Sequence, residues 1–370
     1  MPTIETIAIY RVRIPLVYPF RTAYGSDDAV EPVLVRMGSG GLYGWGEGQA
    51  FQCPTYCPEF GAGIFVTIRN VLAPRLIGQK IDSGDELHRR IACFKGNPFA
   101  KGTLDMAWWD LYAKSRNEPL WKTLGGLGDV IETGADFGAM ETIDALLAKI
   151  DGAVKAGFKR VKLKFCPGWD VDMVHAVRGA FPKMTFHIDC NSGYTLKDVD
   201  MFKRLDRYNL AMIEQPMMHD DLVHHAVLAR QIETPICLDE SVTSLEKACK
   251  AIEIRACRWV NIKPIRVGGL TPALKINELC ASAGVPCWVG GMLETAIGAS
   301  HCAAMATLPN MKYPNDVFPS SRFFKTDLGR PELFPSGPSR MALPKGIGLG
   351  AEPDTEMLER LTVERASLKA

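Results

Sequence analysis

One ionisable residue recurs at an almost fixed interval through the middle of this 370-residue chain. Lys164, Asp189, Glu214, Asp239 and Lys263 are separated by 25, 25, 25 and 24 residues, and each lies at the end of a short apolar run. The runs are Arg160–Phe165, Thr185–Asp189, Leu210–Glu214, Ile236–Asp239 and Trp259–Lys263, with Val285–Val289 extending the series. Between them lie stretches of helical period: Val171–Phe181, Thr195–Arg207, Asp220–Gln231, Leu245–Ile252 and Leu270–Ala283. A short buried strand followed by a helix, repeated, makes a parallel sheet, because parallel neighbours need a crossover long enough to hold a helix. Right-handed crossovers repeated seven or eight times close into a barrel whose strand C-termini carry the active-site loops. An open doubly wound sheet is the competing architecture.

One charge per βα unit puts five charges on one rim. Convergent charges in a partly buried place are costly unless they neutralise one another or bind something charged. Asp189, Glu214 and Asp239 offer oxygen ligands from three consecutive strands, which suits a hard divalent cation, Mg²⁺ first and Mn²⁺ as a substitute. Taken singly, each acid could instead cap the helix that follows it.

Lys162 and Lys164 flank Leu163, and residues two apart on a strand point to the same side. Both ammonium groups then face the barrel interior; a solvated pair on an edge strand is the alternative. Inside, mutual repulsion and a nearby dication lower a lysine pKa and make one of them available as a neutral base, with Lys164 nearer the strand end. Counting the Lys pair as the second strand puts Lys263 on the sixth, opposite it in an eight-stranded barrel. Two lysines would flank a substrate on its two faces, the geometry for removing a proton α to a carboxylate and returning one from the other side. The intermediate would be an enediolate.

The flanks are different. Thr3 to about Gly126 mixes period-2 runs (Ile4–Arg13, Val33–Arg36) with helical patterns around Gly63–Leu76 and Leu104–Arg116, an α+β texture. Gly125-Gly-Leu-Gly128 punctuates the boundary. The division expected is residues 1–127, 128–327 and 328–370, the last loop-rich and wrapping back on the first part. Lys+Arg 43 against Asp+Glu 42 leaves no field for nucleic acid or an anionic membrane. Met1–Leu16 is neither a signal peptide nor a spanning helix, so a soluble, cytoplasmic protein is expected, with homo-oligomers a common default for such enzymes. The 11 Cys, without a CxxC pair, read as buried reduced thiols. Dinucleotide, P-loop, HExxH and GxSxG motifs are missing. His219, His224 and His225 have no partner at ligand spacing.

Val161-Lys-Leu-Lys-Phe165, His187-Ile-Asp-Cys-Asn191, Ile213-Glu-Gln-Pro216, Leu238-Asp-Glu-Ser241 and Asn261-Ile-Lys-Pro264 resemble the enolase superfamily, muconate-lactonizing-enzyme subgroup, over nearly the whole chain. Pro19–Gly25, Gly44-Trp-Gly-Glu-Gly48, Gly290–Thr295, Asn315-Asp316 and Ser320–Phe324 are similar to o-succinylbenzoate synthases and N-acylamino acid racemases. The resemblance implies a (β/α)7β modified TIM barrel of α/β class, with an N-terminal α+β capping domain completed by the C-terminal tail. It implies Asp189, Glu214 and Asp239 as Mg²⁺ ligands, Lys164 and Lys263 as the acid/base pair and Lys162 as electrostatic support. It also implies a small carboxylate substrate covered by loops around Pro19–Ser26 and Phe51–Tyr56. Substrate contacts expected on this basis are Phe20, Tyr24, Asp136, Asn191, Arg266, Glu294 and Thr295.

Two departures bear on the substrate: Asp136 where the family carries small polar residues, and a turn Thr295-Ala-Ile-Gly-Ala-Ser-His301 where the family reads Gly-Ile-Gly-Arg-Ala-His. The expected activity is o-succinylbenzoate synthase dehydration, N-acylamino (N-succinylamino) acid racemisation, or both. Competing readings are a metal-dependent hydrolase or aldolase on a similar barrel, a non-catalytic binding barrel, and a dipeptide epimerase. The last lacks its Asp-x-Asp near Asn315-Asp316.

Overall fold

A computed structural model describes residues 3–22, 25–138 and 140–370. Near the N-terminus a four-stranded antiparallel sheet runs in the order Thr362–Lys369, Thr6–Val12, Val33–Ser39, Leu42–Gly48. The outer strand comes from the far end of the chain, paired in register from Thr6 with Lys369. The tail expected to be loop-rich therefore contains an eight-residue strand, whose burial alternates with the pleat. A second hairpin, Ile14–Thr22 with Gly25–Val30, projects from the same region.

The helix Pro98–Ser115 lies across this sheet. Its approach is close because the strand Leu42–Gly48 presents glycines: a Cβ at Gly44 or Gly46 would strike the helix backbone at Thr103, Ala107 and Leu111. The helical pattern expected over Gly63–Leu76 is one α-helix, Gly61–Thr67, loosening into a wide turn at Ile68–Leu72.

Seven parallel strands follow in sequential order: Ala135–Phe137, Arg160–Lys164, Thr185–Asp189, Ile213–Glu214, Ile236–Leu238, Trp259–Ile262 and Cys287–Val289. The segment ending at Asp316 takes the eighth position, bridging Gly290 on one side and Thr133, through Asn315, on the other. The sheet is thus a closed α/β barrel and the open doubly wound alternative is excluded. Leu163, Ile188, Ile213, Leu238 and Val260 are wholly buried.

Six of the cysteines are buried, but Cys53, Cys93 and Cys249 are exposed, which corrects the expectation for those three. All 11 are free. Among the described residues no helix is long and apolar enough to cross a membrane.

Candidate active site

Lys164 stands directly beside Asp189 in the parallel register, and its Nζ lies 2.7 Å from Asp189 Oδ2. Its second contact is the Asn191 side-chain oxygen. Lys162 sits one pleat deeper, 2.9 Å from Asp189 Oδ2, 2.9 Å from Glu214 Oε2 and 3.3 Å from Asp316 Oδ2. Burial opposes its charge, yet Asp189, Glu214 and Asp316 outweigh that and hold the ammonium well above its ordinary pKa. Asp189 shows the other side of the balance: burial disfavours its charge, but Lys162 and Lys164 hold the carboxyl below the usual range.

Across the barrel, Lys263 is the first residue after the sixth strand and starts the short helix Pro264–Val267. Its Nζ is 3.1 Å from Asp239 Oδ2 and donates to the Tyr56 hydroxyl at 3.1 Å. Burial again opposes the charge, and Asp239 leads the groups that raise the pKa above its ordinary value. Arg266 is buried behind Asp239, paired with Oδ1 and donating to Val242 O at 3.2 Å and Asn261 O at 3.0 Å. Each of its three nitrogens makes one of these contacts, so the guanidinium braces Asp239 from behind.

Glu214 is held from below by groups that sequence reasoning missed. Asn261 Nδ2 donates to its Oε1 at 2.8 Å, and His187 Nε2 lies 3.2 Å from its Oε2. His187 Nδ1 is 3.0 Å from the Tyr313 hydroxyl. Burial pushes the imidazole pKa below its ordinary value, and a carboxylate only accepts, so Nε2 donates to Glu214 and Nδ1 accepts from Tyr313. Arg160, fully buried, holds Asp316 at 2.7 Å. The available signal was the pleat: His187 is two residues before Asp189 and shares its side of the strand.

Local backbone geometry positions these ends. Gln215, at φ 41°, directs its amide onto the next strand end, accepting from Asp239 N at 3.0 Å and Ser241 N at 3.2 Å and donating to Ser241 Oγ at 2.7 Å. A left-handed residue other than glycine costs about 1 kcal/mol or more, which those bonds offset. Glu240 accepts from Asn191 Nδ2 at 3.0 Å, and burial, with Asp239 and Asp189 near, pushes its carboxyl up to about 7.

Asp189, Glu214 and Asp239 are almost wholly buried and supply only oxygen, a donor set that fits a hard divalent cation. Beside them, Asn261 Oδ1 is buried with no hydrogen-bond partner. Among the described residues no three acidic, histidine or cysteine side chains already converge on one point, because Lys162, Lys164, Lys263 and Arg266 take up the carboxylate oxygens.

Residues 145–357 match the family described as Enolase C-terminal domain-like, and residues 4–125 match the mandelate racemase / muconate lactonizing enzyme N-terminal domain. The chain belongs to the enolase superfamily. Among relatives of this enolase-superfamily enzyme, an N-succinylamino acid racemase of Thermus thermophilus is 39% identical over 367 residues, 99% of each chain. An o-succinylbenzoate synthase of Geobacillus stearothermophilus is 40% identical over 97% of this chain and 96% of its own. The crystal structure of an enolase-superfamily member from Listeria innocua matches with a TM-score of 0.96 at 34% identity, covering 100% of both chains.

The remaining expected contacts of this superfamily member divide. Asn191 bridges Lys164 and Glu240 at the rim. Glu294 is buried, and its carboxylate accepts from Met292 N at 2.8 Å. Asp136 is ion-paired with Arg322. Thr295 is fully buried and caps the helix Ala296–Ala306, accepting from Ile297 N at 3.2 Å. The stretch read as a turn is therefore the first part of a helix, with Thr295 at its N-cap. Tyr24 and the side chain of Phe20 lie outside the described residues. His225 accepts from Met217 N at 3.2 Å within its own βα unit, away from the rim lysines.

Proposed function

We propose that the protein is a Mg²⁺-dependent enzyme that removes the proton α to the carboxylate of an N-succinylamino acid and returns one on the opposite face. We propose further that the same first step allows dehydration to o-succinylbenzoate. The observation that carries this reading is the placement of Lys164 and Lys263 at the ends of the second and sixth strands, each against a buried carboxylate. The names of the relatives support it.

Lys164, as the amine, takes the α proton, and the electron pair moves into the substrate carboxylate to give an enediolate. The Lys263 ammonium donates a proton to the other face, completing inversion. Where the substrate carries a β-hydroxyl, its loss replaces reprotonation, and one lysine suffices as base and then acid. Lys162, kept charged by the carboxylates around it, lends fixed positive charge where the enediolate forms. Asp189, Glu214 and Asp239 would hold the Mg²⁺, which when bound supplies further positive charge against the carboxylate oxygens. A hydrolase or aldolase reading is disfavoured because His187 is buried beneath Glu214.

The test is proton NMR of the protein with Mg²⁺ in D₂O, following α-proton exchange on N-succinylamino acids. Exchange with inversion, abolished by Lys164→Ala and by Lys263→Ala, is the expected result. Inversion that survives Lys164→Ala at full rate would overturn it.

A further inference from the structure

The two rim lysines are not partnered alike. Lys164 is held by Asp189 and Asn191, both from the barrel's third strand and the residues just after it. Lys263 is held by Asp239 on the barrel side and, on its other side, by Tyr56. Tyr56 lies in the loop that follows the strand Leu42–Gly48 of the N-terminal sheet, 207 positions away in the chain. Its hydroxyl accepts from Lys263 Nζ at 3.1 Å, and Nζ lies 5.3 Å from the centre of its ring.

An ammonium carries three protons. Asp239 and Tyr56 take two, which fixes the direction of the third. A phenol hydroxyl both donates and accepts, so it remains a partner whether the lysine nitrogen has just lost or gained a proton, whereas Asp189 and the Asn191 oxygen beside Lys164 only accept. Ring and hydroxyl therefore bear on one lysine of the pair.

We propose that Tyr56 is a positioning residue for Lys263 and for no other acid/base group, so that the N-terminal region sets the rate of proton transfer on one face of the substrate. This rests on the two-lysine reading above. Tyr56→Phe removes the hydroxyl and keeps the ring; Tyr56→Leu removes both.

The experiment measures α-proton exchange in D₂O with Mg²⁺, separately on L- and D-N-succinylphenylalanine, for the wild type, Lys263→Ala, Tyr56→Phe and Tyr56→Leu. Lys263→Ala identifies the enantiomer whose proton Lys263 takes. On that enantiomer Tyr56→Phe lowers kcat for exchange about tenfold with KM changed less than about twofold, and Tyr56→Leu lowers it further. Exchange of the other enantiomer, which reports intact fold and metal site, stays within about twofold of wild type. Equal losses on both enantiomers, or none on either, would overturn the proposal. Wild-type protein that exchanges neither enantiomer would instead refute the two-lysine reading, and the role of Tyr56 with it.

Discussion

Glu47 reaches from the N-terminal sheet into the barrel and accepts a hydrogen bond from the backbone N–H of Thr295 at 3.0 Å. The same carboxylate accepts from the Thr295 hydroxyl and from Gly298 N at 2.8 Å, while Asp327, near the C-terminal tail, accepts from Ala296 N at 3.0 Å. With Thr295 Oγ1 accepting from Ile297 N, the first-turn donors of the helix Ala296–Ala306 are satisfied by three separate parts of the chain. His301 Nε2 adds a bond to Trp45 O at 2.9 Å. Glu47 is thus balanced by N–H groups at the start of this helix.

Glu47→Gln should therefore destabilise the protein, because both carboxyl oxygens accept here, protonated or not, and an amide nitrogen cannot. The expected loss in urea denaturation at pH 5 is about 1–3 kcal/mol. Burial pushes the Glu47 carboxyl up to about 7 from an ordinary 4.5, so the folded state binds its proton more tightly than the unfolded state. The stabilisation is full below about pH 4.5 and is lost as pH rises through 7. The gap between wild type and Glu47→Gln should thus narrow from pH 5 to pH 7.5, and a widening gap would contradict this assignment.

Gly298→Ala separates two effects of opposite sign. Alanine is favoured over glycine inside a helix by about 1 kcal/mol. Here, however, the added Cβ would lie 2.8 Å from Glu294 Cγ and 3.0 Å from Glu47 Cδ, and overpacking of that kind costs about 1–3 kcal/mol. A lowered melting temperature is expected; a raised one would mean that the joint yields easily.

Tyr313→Phe removes the hydroxyl from His187 Nδ1 and leaves a buried acceptor unpaired. The expected cost is about 1–3 kcal/mol of stability, read by denaturation. Through the loosened His187 it should also weaken Mn²⁺ binding about tenfold, read by electron paramagnetic resonance titration, as groups that orient metal ligands commonly do. Unchanged Mn²⁺ affinity would detach this network from the carboxylate site.

Lys263→Ala should divide the two activities. Racemisation falls by about 10²–10⁴, since reprotonation on that face has no donor. Dehydration, which needs one lysine as base and then acid, retains more of its rate, whereas Lys164→Ala abolishes both. Steady-state assays on the two substrate types decide it, and equal losses in Lys263→Ala would show that both lysines act in dehydration.

Chelation with excess EDTA should abolish α-proton exchange, and Mg²⁺ or Mn²⁺ should restore it. Exchange that persists after chelation would remove the cation from the mechanism.

The sequence by itself determined the barrel and its rim. An interval near 25 residues is one strand plus one crossover helix, so Lys164, Asp189 and Glu214 could reach only one end of one sheet, and pleat alternation turned Lys162 inward beside Lys164. Tertiary structure alone decided what each charge meets. Lys162 and Lys263 are held as ammonium groups by carboxylates at contact distances that spacing does not encode. The contacts of Arg266 with Asp239 and of Thr295 with the helix it caps were equally out of reach of spacing. The contacts of Tyr56 with Lys263 and Glu47 with Thr295 join residues 207 and 248 positions apart. No local periodicity reports such pairs, because they depend on how two separately packed regions meet.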